Sequence, residues 1–225
     1  ISGQNASLTF NGTTAQRISL KMTNVTIGTS SCCSARVSIL NPDGSTLVSP
    51  TFVGTSGAFI DVQTLPATGV FKIFIDPQST DTGSITLTLY DVPADPTPSI
   101  TPGGAAVTVT TTVPGQNAKP TFSGTAGQRI SLTMTNVTIG TSSCCSARVS
   151  ILNPDGSTLV APTFVGTSGG FIDIQTLAAT GTYTILVDPQ GSDTGSITLT
   201  LNDVPADVTG TITPGGAPVT VTTTV

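Results

Sequence analysis

The sequence predicts an all-β protein of two tandem antiparallel β-sandwich domains joined by a Pro/Gly linker. The first observation is a long internal repeat: Cys32 returns as Cys144 and Asp91 as Asp203, an offset of 112 residues in each case. A unit of this length is able to fold alone. The second is composition, because a chain rich in Thr, Val, Ser and Gly and without Glu favours strands and turns over helices. The third is the alternation of apolar and polar residues within short segments.

The strands of the second repeat can be placed in order along the chain. The segment RISLTMTNV alternates apolar with polar residues until the pattern breaks near Asn136. The segments ARVSIL, GFIDIQ, TYTILVD and SITLTLN follow with the same alternation. Between them, NPDG at 153–156 suits a type I turn, and Gly181 and Gly195 mark further reversals. Roughly seven to nine short strands separated by such turns indicate an antiparallel sandwich in each repeat.

Composition also narrows the possible partners. The net charge is −5 without a basic run, so binding to nucleic acid is not expected. No apolar run reaches the roughly 18 to 20 residues that a membrane span requires, so membrane insertion is not expected. No secretory leader precedes Ile1, and we therefore expect a mature segment. The few charges, the abundant Thr and the absence of thiols outside two adjacent pairs favour an extracellular origin.

Three segments together resemble the bacterial pre-peptidase C-terminal domain: VTVTTTVPGQNAKPTFSGTAGQRISLTM, ARVSIL and GTYTILVDPQGSDTGSITLTL. They contain a first strand, a second strand ending in Phe, a small-residue-Gly-Gln turn, a third strand, and later a Gly-x-Tyr strand with a last hairpin. The resemblance implies a jelly-roll or immunoglobulin-like sandwich, used as an accessory, binding or spacer module without catalysis. Similar repeats accompany very large bacterial surface and secreted proteins.

Some members of that family bind calcium through acidic residues just before the strand that corresponds to ARVSIL. Here the matching positions are Ser34-Ala35-Arg36 and Ser146-Ala147-Arg148. Neither contains an acid, so the family's metal site does not carry over to this chain.

The segment VTVTTTV occurs twice, at 107–113 and 219–225. In the family this strand opens the domain, and here its first copy follows the linker, so it is predicted to open the second sandwich with Val107, Val109, Thr111 and Val113. The first repeat then lacks its opening strand. The second copy is a spare strand that we expect to be donated to another sandwich, through Val219, Val221, Thr223 and Val225.

The repeat therefore predicts four segments. Residues 1–91 form the first sandwich, 92–106 form a short and fairly stiff linker, and 107–203 form the second sandwich. Residues 204–225 hold another linker and the spare donor strand.

The four cysteines form two adjacent pairs, Cys32-Cys33 and Cys144-Cys145, each in the loop IGTSSCCSA. Within one repeat the only available disulfide joins the two neighbours. The alternatives are bridges to another unit or chain, or free thiols. A zinc site is not expected, because two sulfurs without a nearby His cannot complete a tetrahedral shell.

Catalysis and cofactors are not expected. The chain has no His and no Glu, and no Ser or Cys has a candidate base. The turn DPQSTDTG, at 76–83, could offer oxygen ligands to calcium, but its Asp side chains are equally suited to bonding their own backbone. We therefore assign no metal site.

The expected function is that of a structural repeat protein in a bacterial extracellular filament or surface array, self-associating head to tail by donor-strand complementation. Its partners are then copies of itself or neighbouring repeats. The alternative is an adhesin or carbohydrate-binding sandwich. Sugar platforms usually present Trp or Tyr, and the chain has no Trp and only two Tyr, which favours the structural function.

Overall fold

The structure of the chain is a computed structural model that describes residues 1–223. Within that range it contains no helix, and its strands are β1 (Ala6–Gly12), β2 (Arg17–Thr23), β3 (Ala35–Leu40), β4 (Thr46–Val53), β5 (Ala58–Thr64), β6 (Gly69–Pro77), β7 (Thr86–Asp91), β8 (Val107–Thr111), β9 (Thr121–Gly124), β10 (Arg129–Thr135), β11 (Ala147–Leu152), β12 (Thr158–Val165), β13 (Gly170–Thr176), β14 (Gly181–Pro189) and β15 (Gly195–Asp203).

The chain divides into two compact units, each a sandwich of two sheets. In the first unit the strand orders are β1-β6-β3-β4 and β5-β2-β7; in the second they are β12-β11-β14-β9 and β13-β10-β15-β8. The predicted all-β fold of two sandwiches is confirmed. The first unit comprises Ile1–Asp95, Thr111–Gln116 and Pro189–Thr194, and the second comprises Pro96–Thr110, Asn117–Asp188 and the residues from Gly195 onward.

The strand β10 shows how local sequence produces these elements. Its residues Ile130, Leu132 and Met134 are buried, with Thr133 between them only half-buried. The strand ends where Asn136 adopts a positive φ of 49°, a left-handed conformation that Asn tolerates better than most residues. The predicted break near Asn136 is thus confirmed.

Each unit encloses its own apolar core between its two sheets. In the first, Phe71 is fully buried and its ring stacks on Phe10 at 5.3 Å; in the second, Tyr183 stacks in the same way on Phe122 at 5.2 Å. The Tyr183 hydroxyl donates to the carbonyl of Ala179 at 2.8 Å, so this buried phenol keeps a partner. The two cores therefore use equivalent positions and the same packing.

The units differ in one sheet. In the first unit, β5-β2-β7 has three strands and β7 is its edge, whereas in the second unit β8 lies beside β15 as a fourth strand. Leu201 of β15 is 1% exposed, and its carbonyl accepts from the Gly103 N–H of the segment that leads into β8, while Leu89 at the equivalent position of β7 is 36% exposed.

The segment 92–106, predicted to be a short and fairly stiff linker, makes ordered contacts in the structure. Its first residues belong to the first unit, where the Val92 N–H donates to Arg17 O at 2.8 Å and Arg17 pairs with Asp95 at 2.7 Å. From Pro96 the segment belongs to the second unit, and its Ile100 is only 3% exposed. The physical reason is that Ile100 offers an apolar side chain, which is more stable in the core than in water.

Leu89 and Leu201 occupy equivalent positions but differ in exposure, and this difference predicts a difference in stability. Replacing Leu201 by Ala should destabilise the second unit by about 2–5 kcal/mol, because it leaves a cavity in a closed core. Replacing Leu89 by Ala should cost less than about 1 kcal/mol, because that side chain is already partly in water. Urea unfolding at low protein concentration, where only interactions within one chain count, would measure both changes.

The control for this comparison is Leu20→Ala against Leu132→Ala. Both side chains are fully buried, so these two variants should lose similar stability in their respective units. Equal losses for Leu89→Ala and Leu201→Ala would contradict the prediction.

Candidate functional site

The candidate site is the outer edge of β7, which we call the open edge. An edge strand presents unpaired backbone N–H and C=O groups and so can accept a further strand. Among residues 1–223, no strand pairs with this side of β7. The second unit shows how the equivalent edge is used when a strand is present.

In the second unit, β8 lies against β15 in a defined register. The hydroxyls of Thr108 and Thr198 are 2.9 Å apart, and so are those of Thr110 and Ser196. From the first pair to the second, the residue number increases by two in β8 and decreases by two in β15, so the two strands run antiparallel. The hydroxyl contacts lie on the outer face, while Val109 points inward and is 3% exposed.

In the first unit the equivalent space is a groove between β1 and β7, which we call the acceptor groove. Its volume is about 430 Å³. Apolar side chains form much of its wall, among them Ala6, Leu8, Ile27, Ile75, Ile85 and Leu87. Ile85 and Leu87 are only half-buried, although Ile197 and Leu199 at the equivalent positions of β15 are 0% exposed. The groove therefore leaves part of the first core open to water.

Of the segment predicted to open the second repeat, Val107–Thr111 forms β8. Val107 is half-buried, and Val109 and Thr111 are buried within β8. Val113 follows the strand, in a turn closed by a hydrogen bond from the Gln116 N–H to Val113 O at 3.0 Å.

The predicted donor residues have a different environment. Val219 is 51% exposed, Val221 is 62% exposed and Thr223 is also exposed, and none of them belongs to a strand. Val225 lies outside the described residues. The same local sequence is therefore a buried strand at 107–111 and an exposed segment at 219–223.

The adjacent cysteines are bonded to each other. Disulfides join Cys32 to Cys33 and Cys144 to Cys145, in exposed loops after β2 and β10. In the first loop the Ser30 hydroxyl accepts from the Cys33 N–H at 3.2 Å, and the same contact recurs in the second repeat. Of the three possibilities left open by the sequence, the vicinal bridge is the one observed.

Gly54 packs so closely against the loop of Cys32 and Cys33 that no side chain would fit at this position. A Cβ on Gly54 would overlap the backbone of Ser30 and Cys32. The residue that follows β4 and the cysteine loop are thus in direct backbone contact.

Two aspartates at equivalent positions, Asp43 and Asp155, accept hydrogen bonds within their own turns. In the turn at 41–45 the Asp43 carboxylate accepts from the Ser45 hydroxyl at 2.6 Å and from the Ser45 N–H at 2.9 Å, and these bonds hold the pKa of Asp43 below its ordinary value. Asp155 and Ser157 repeat the arrangement. Residues 1–223 contain no group of three or more His, Cys, Asp or Glu side chains placed to hold a metal ion.

Two apolar residues were not singled out from the sequence. Ile100 lies in the core of the second unit, and its counterpart Ile212 is 74% exposed. The signal that could have found them is the repeated ITPGG, which places an Ile at the same distance before each copy of VTVTTTV.

No helix within residues 1–223 has the length and apolar character needed to cross a membrane.

Comparisons with known proteins concern the fold. No protein-family model and no curated protein sequence matches the chain. Among solved structures, the chain is similar to the pre-peptidase C-terminal domain of collagenase from Bacillus anthracis, at 13% identity and a TM-score of 0.38, over 50% of this chain and 100% of that chain. It is also similar to PliG of Aeromonas hydrophila, a periplasmic inhibitor of g-type lysozyme, at 16% identity and a TM-score of 0.32, over 48% of this chain and 100% of that one.

A third similar structure is the CUB1-EGF-CUB2 domain of human MASP-1/3, at 11% identity and a TM-score of 0.27, over 89% of this chain and 94% of that one. Each of these likenesses is one of fold, and the first is to the family that the sequence itself resembles.

Proposed function

We propose that the chain is a structural repeat protein of a bacterial extracellular filament or surface array, whose copies associate head to tail by donor-strand complementation. The donor is the VTVTTTV segment at 219–225 of one copy. The acceptor is the open edge and the acceptor groove of the first unit of the next copy.

One observation carries the proposal: the same six residues, SITLTL, are closed in one unit and open in the other. At 196–201 this stretch lies beside β8, and its Ile and Leu side chains are buried. At 84–89 it leads into and forms part of the open edge, and Leu89 is 36% exposed. Because the two stretches are identical in sequence, the difference in exposure arises from the segments packed against them, of which β8 and the residues just before it are present only in the second unit.

The donor segment has the sequence that this edge accepts in the second unit. Val221 corresponds to the buried Val109, and Val219 corresponds to Val107. On the acceptor, Ser84 and Thr86 occupy the positions of Ser196 and Thr198. Backbone hydrogen bonds along the added strand would supply affinity, while the alternating Val side chains would set its register.

The same pairing can be made within a longer chain. A repeat placed before Ile1 would offer an identical strand to the same edge, so the chemistry of the site does not depend on which molecule supplies the strand. The proposal commits to a second copy as donor because the donor segment is exposed and unpaired in the described part of the chain.

Two further features support the proposed extracellular location and the proposed lack of catalysis. Both disulfides favour an oxidising compartment outside the cytoplasm. The proposal assigns the chain no catalysis, since without His no Ser or Cys has the imidazole base that nucleophilic catalysis usually uses.

Register-specific crosslinking tests the pairing directly. Chains carrying Thr86→Cys, mixed with chains carrying Thr220→Cys, should form covalent dimers on mild oxidation, because these positions would face each other as Thr198 and Thr108 do. Ser84→Cys with Thr222→Cys should do the same. The yields are read by non-reducing electrophoresis.

The matched control is the mixture of Thr86→Cys with Thr222→Cys. Those positions would be diagonal neighbours about 7–8 Å apart, which is beyond the usual Cα separation in a disulfide. Equal yields from matched and mismatched mixtures, or no covalent dimer in either, would overturn the proposal.

A second prediction concerns the face of the donor strand. Val221→Asp should weaken self-association by at least about 100-fold, because it removes a buried Val and places a charge in an apolar groove. Thr222→Asp adds the same charge on the opposite face, where the equivalent Thr110 is exposed, and should weaken it by less than about tenfold. Sedimentation velocity over a concentration series, with electron microscopy for filaments, would measure both; equal effects would count against an inserted strand.

A further inference from the structure

In the second unit, the residues before β8 also cover a sheet edge of the sandwich. The Lys119 N–H donates to Pro96 O at 2.8 Å and the Thr121 N–H donates to Pro98 O at 2.9 Å. The Ile100 N–H returns a bond to Thr121 O at 2.9 Å. These contacts add a short stretch of chain along the outer edge of β9, paired in parallel.

The chain then crosses from this sheet to the other one. The Gly103 N–H donates to Leu201 O at 2.8 Å, and the Gly104 N–H closes a turn on Thr101 O at 2.9 Å. Gly103 has a φ of +72°, which requires a residue without a side-chain penalty in the left-handed region. Residues 96–111 therefore join the outer edges of both sheets, and β8 is only the second half of that closure.

The first half has its own apolar anchor. Ile100 is 3% exposed and belongs to the same buried cluster as Phe122. In the first unit, Phe10 at the position of Phe122 is only half-buried, and Leu8 beside it is 54% exposed. The outer side of β1 thus lacks the apolar cover that Ile100 gives to β9.

The backbone of β1 is also prepared for this pairing. Ala6 pairs with Ile75 in the register in which Ala118 pairs with Val187. It follows that Ser7, like Lys119 in the second unit, directs its backbone groups away from the neighbouring strand. Among residues 1–223, no strand lies on that side of β1.

The tail segment 208–223 holds the matching residues. Ile212 stands at the position of Ile100 and is 74% exposed. The turn that follows is already formed, since the Gly216 N–H donates to Thr213 O at 3.0 Å and Gly215 has a φ of +77°. This is the geometry of the turn at 101–104 that connects the two sheet edges of the second unit.

We infer that the donor is bipartite: in a second copy's tail segment, Ile212 seats beside Phe10 and residues 208–212 pair in parallel with β1, while the VTVTTTV strand covers β7. The inference rests on the proposed function and deepens it. It assigns the outer edge of β1 as a binding site, with this chain's own ITPGG segment as its ligand. The turn at 213–216 then sets the spacing between the two contacts.

The test compares Ile212→Ala with Thr211→Ala in the full chain. Ile212→Ala should weaken head-to-tail association by about 10- to 100-fold, the effect of losing one buried Ile side chain. Thr211→Ala is the matched control, because Ser99 at the equivalent position is exposed, and it should change association by less than about twofold. Both residues are exposed in the single chain, so urea unfolding at low concentration should be unchanged by either variant.

The outcomes separate the two proposals. If Val221→Asp abolishes association while Ile212→Ala behaves like Thr211→Ala, the donor is a single strand and the bipartite site is wrong. If Val221→Asp and Ile212→Ala both leave association unchanged, the proposed function fails as well. Loss of association in Ile212→Ala, with recovery in Ile212→Val, supports the second anchor.

Discussion

The structure depends on one constraint: the edge of a sheet that covers an apolar core has to be paired or covered. A bare edge leaves backbone groups without partners and lets water reach the side chains behind them. In the second unit β8 and the residues leading into it cover the edge of β15, and Ile197, Leu199 and Leu201 are buried. In the first unit the constraint is unmet at β7, and the acceptor groove follows from it.

The internal repeat makes this constraint visible within one molecule. The stretch SITLTL is the same at 84–89 and 196–201, so propensity and alternation are equal in both places. The segments packed against it differ. The exposure of Leu89 is therefore a property of its surroundings and not of the strand that carries it. In the second unit the neighbouring β8 offers Val109 to the core and Thr hydroxyls to the outer face.

The segment 96–111 has two roles in the second unit. It connects successive repeats in sequence, and it closes the sandwich by bonding to β9 and then to β15. Releasing this segment would expose Ile100 and Val109 together.

The sequence by itself determined what depends on near neighbours. Alternation in RISLTMT and ARVSIL predicted the strands, Asn136 predicted a strand end, and the adjacent cysteines limited the disulfide within each repeat to one pairing. Only the tertiary structure decided what depends on distant partners. Ile100 is buried and Ile212 is exposed, although both occur in ITPGG, and Leu201 is buried while Leu89 is exposed, although both end the same stretch SITLTL. The reason is that burial is set by which other segments lie across an edge, and hydrogen bonds between segments far apart in the chain leave no periodic signal in either one.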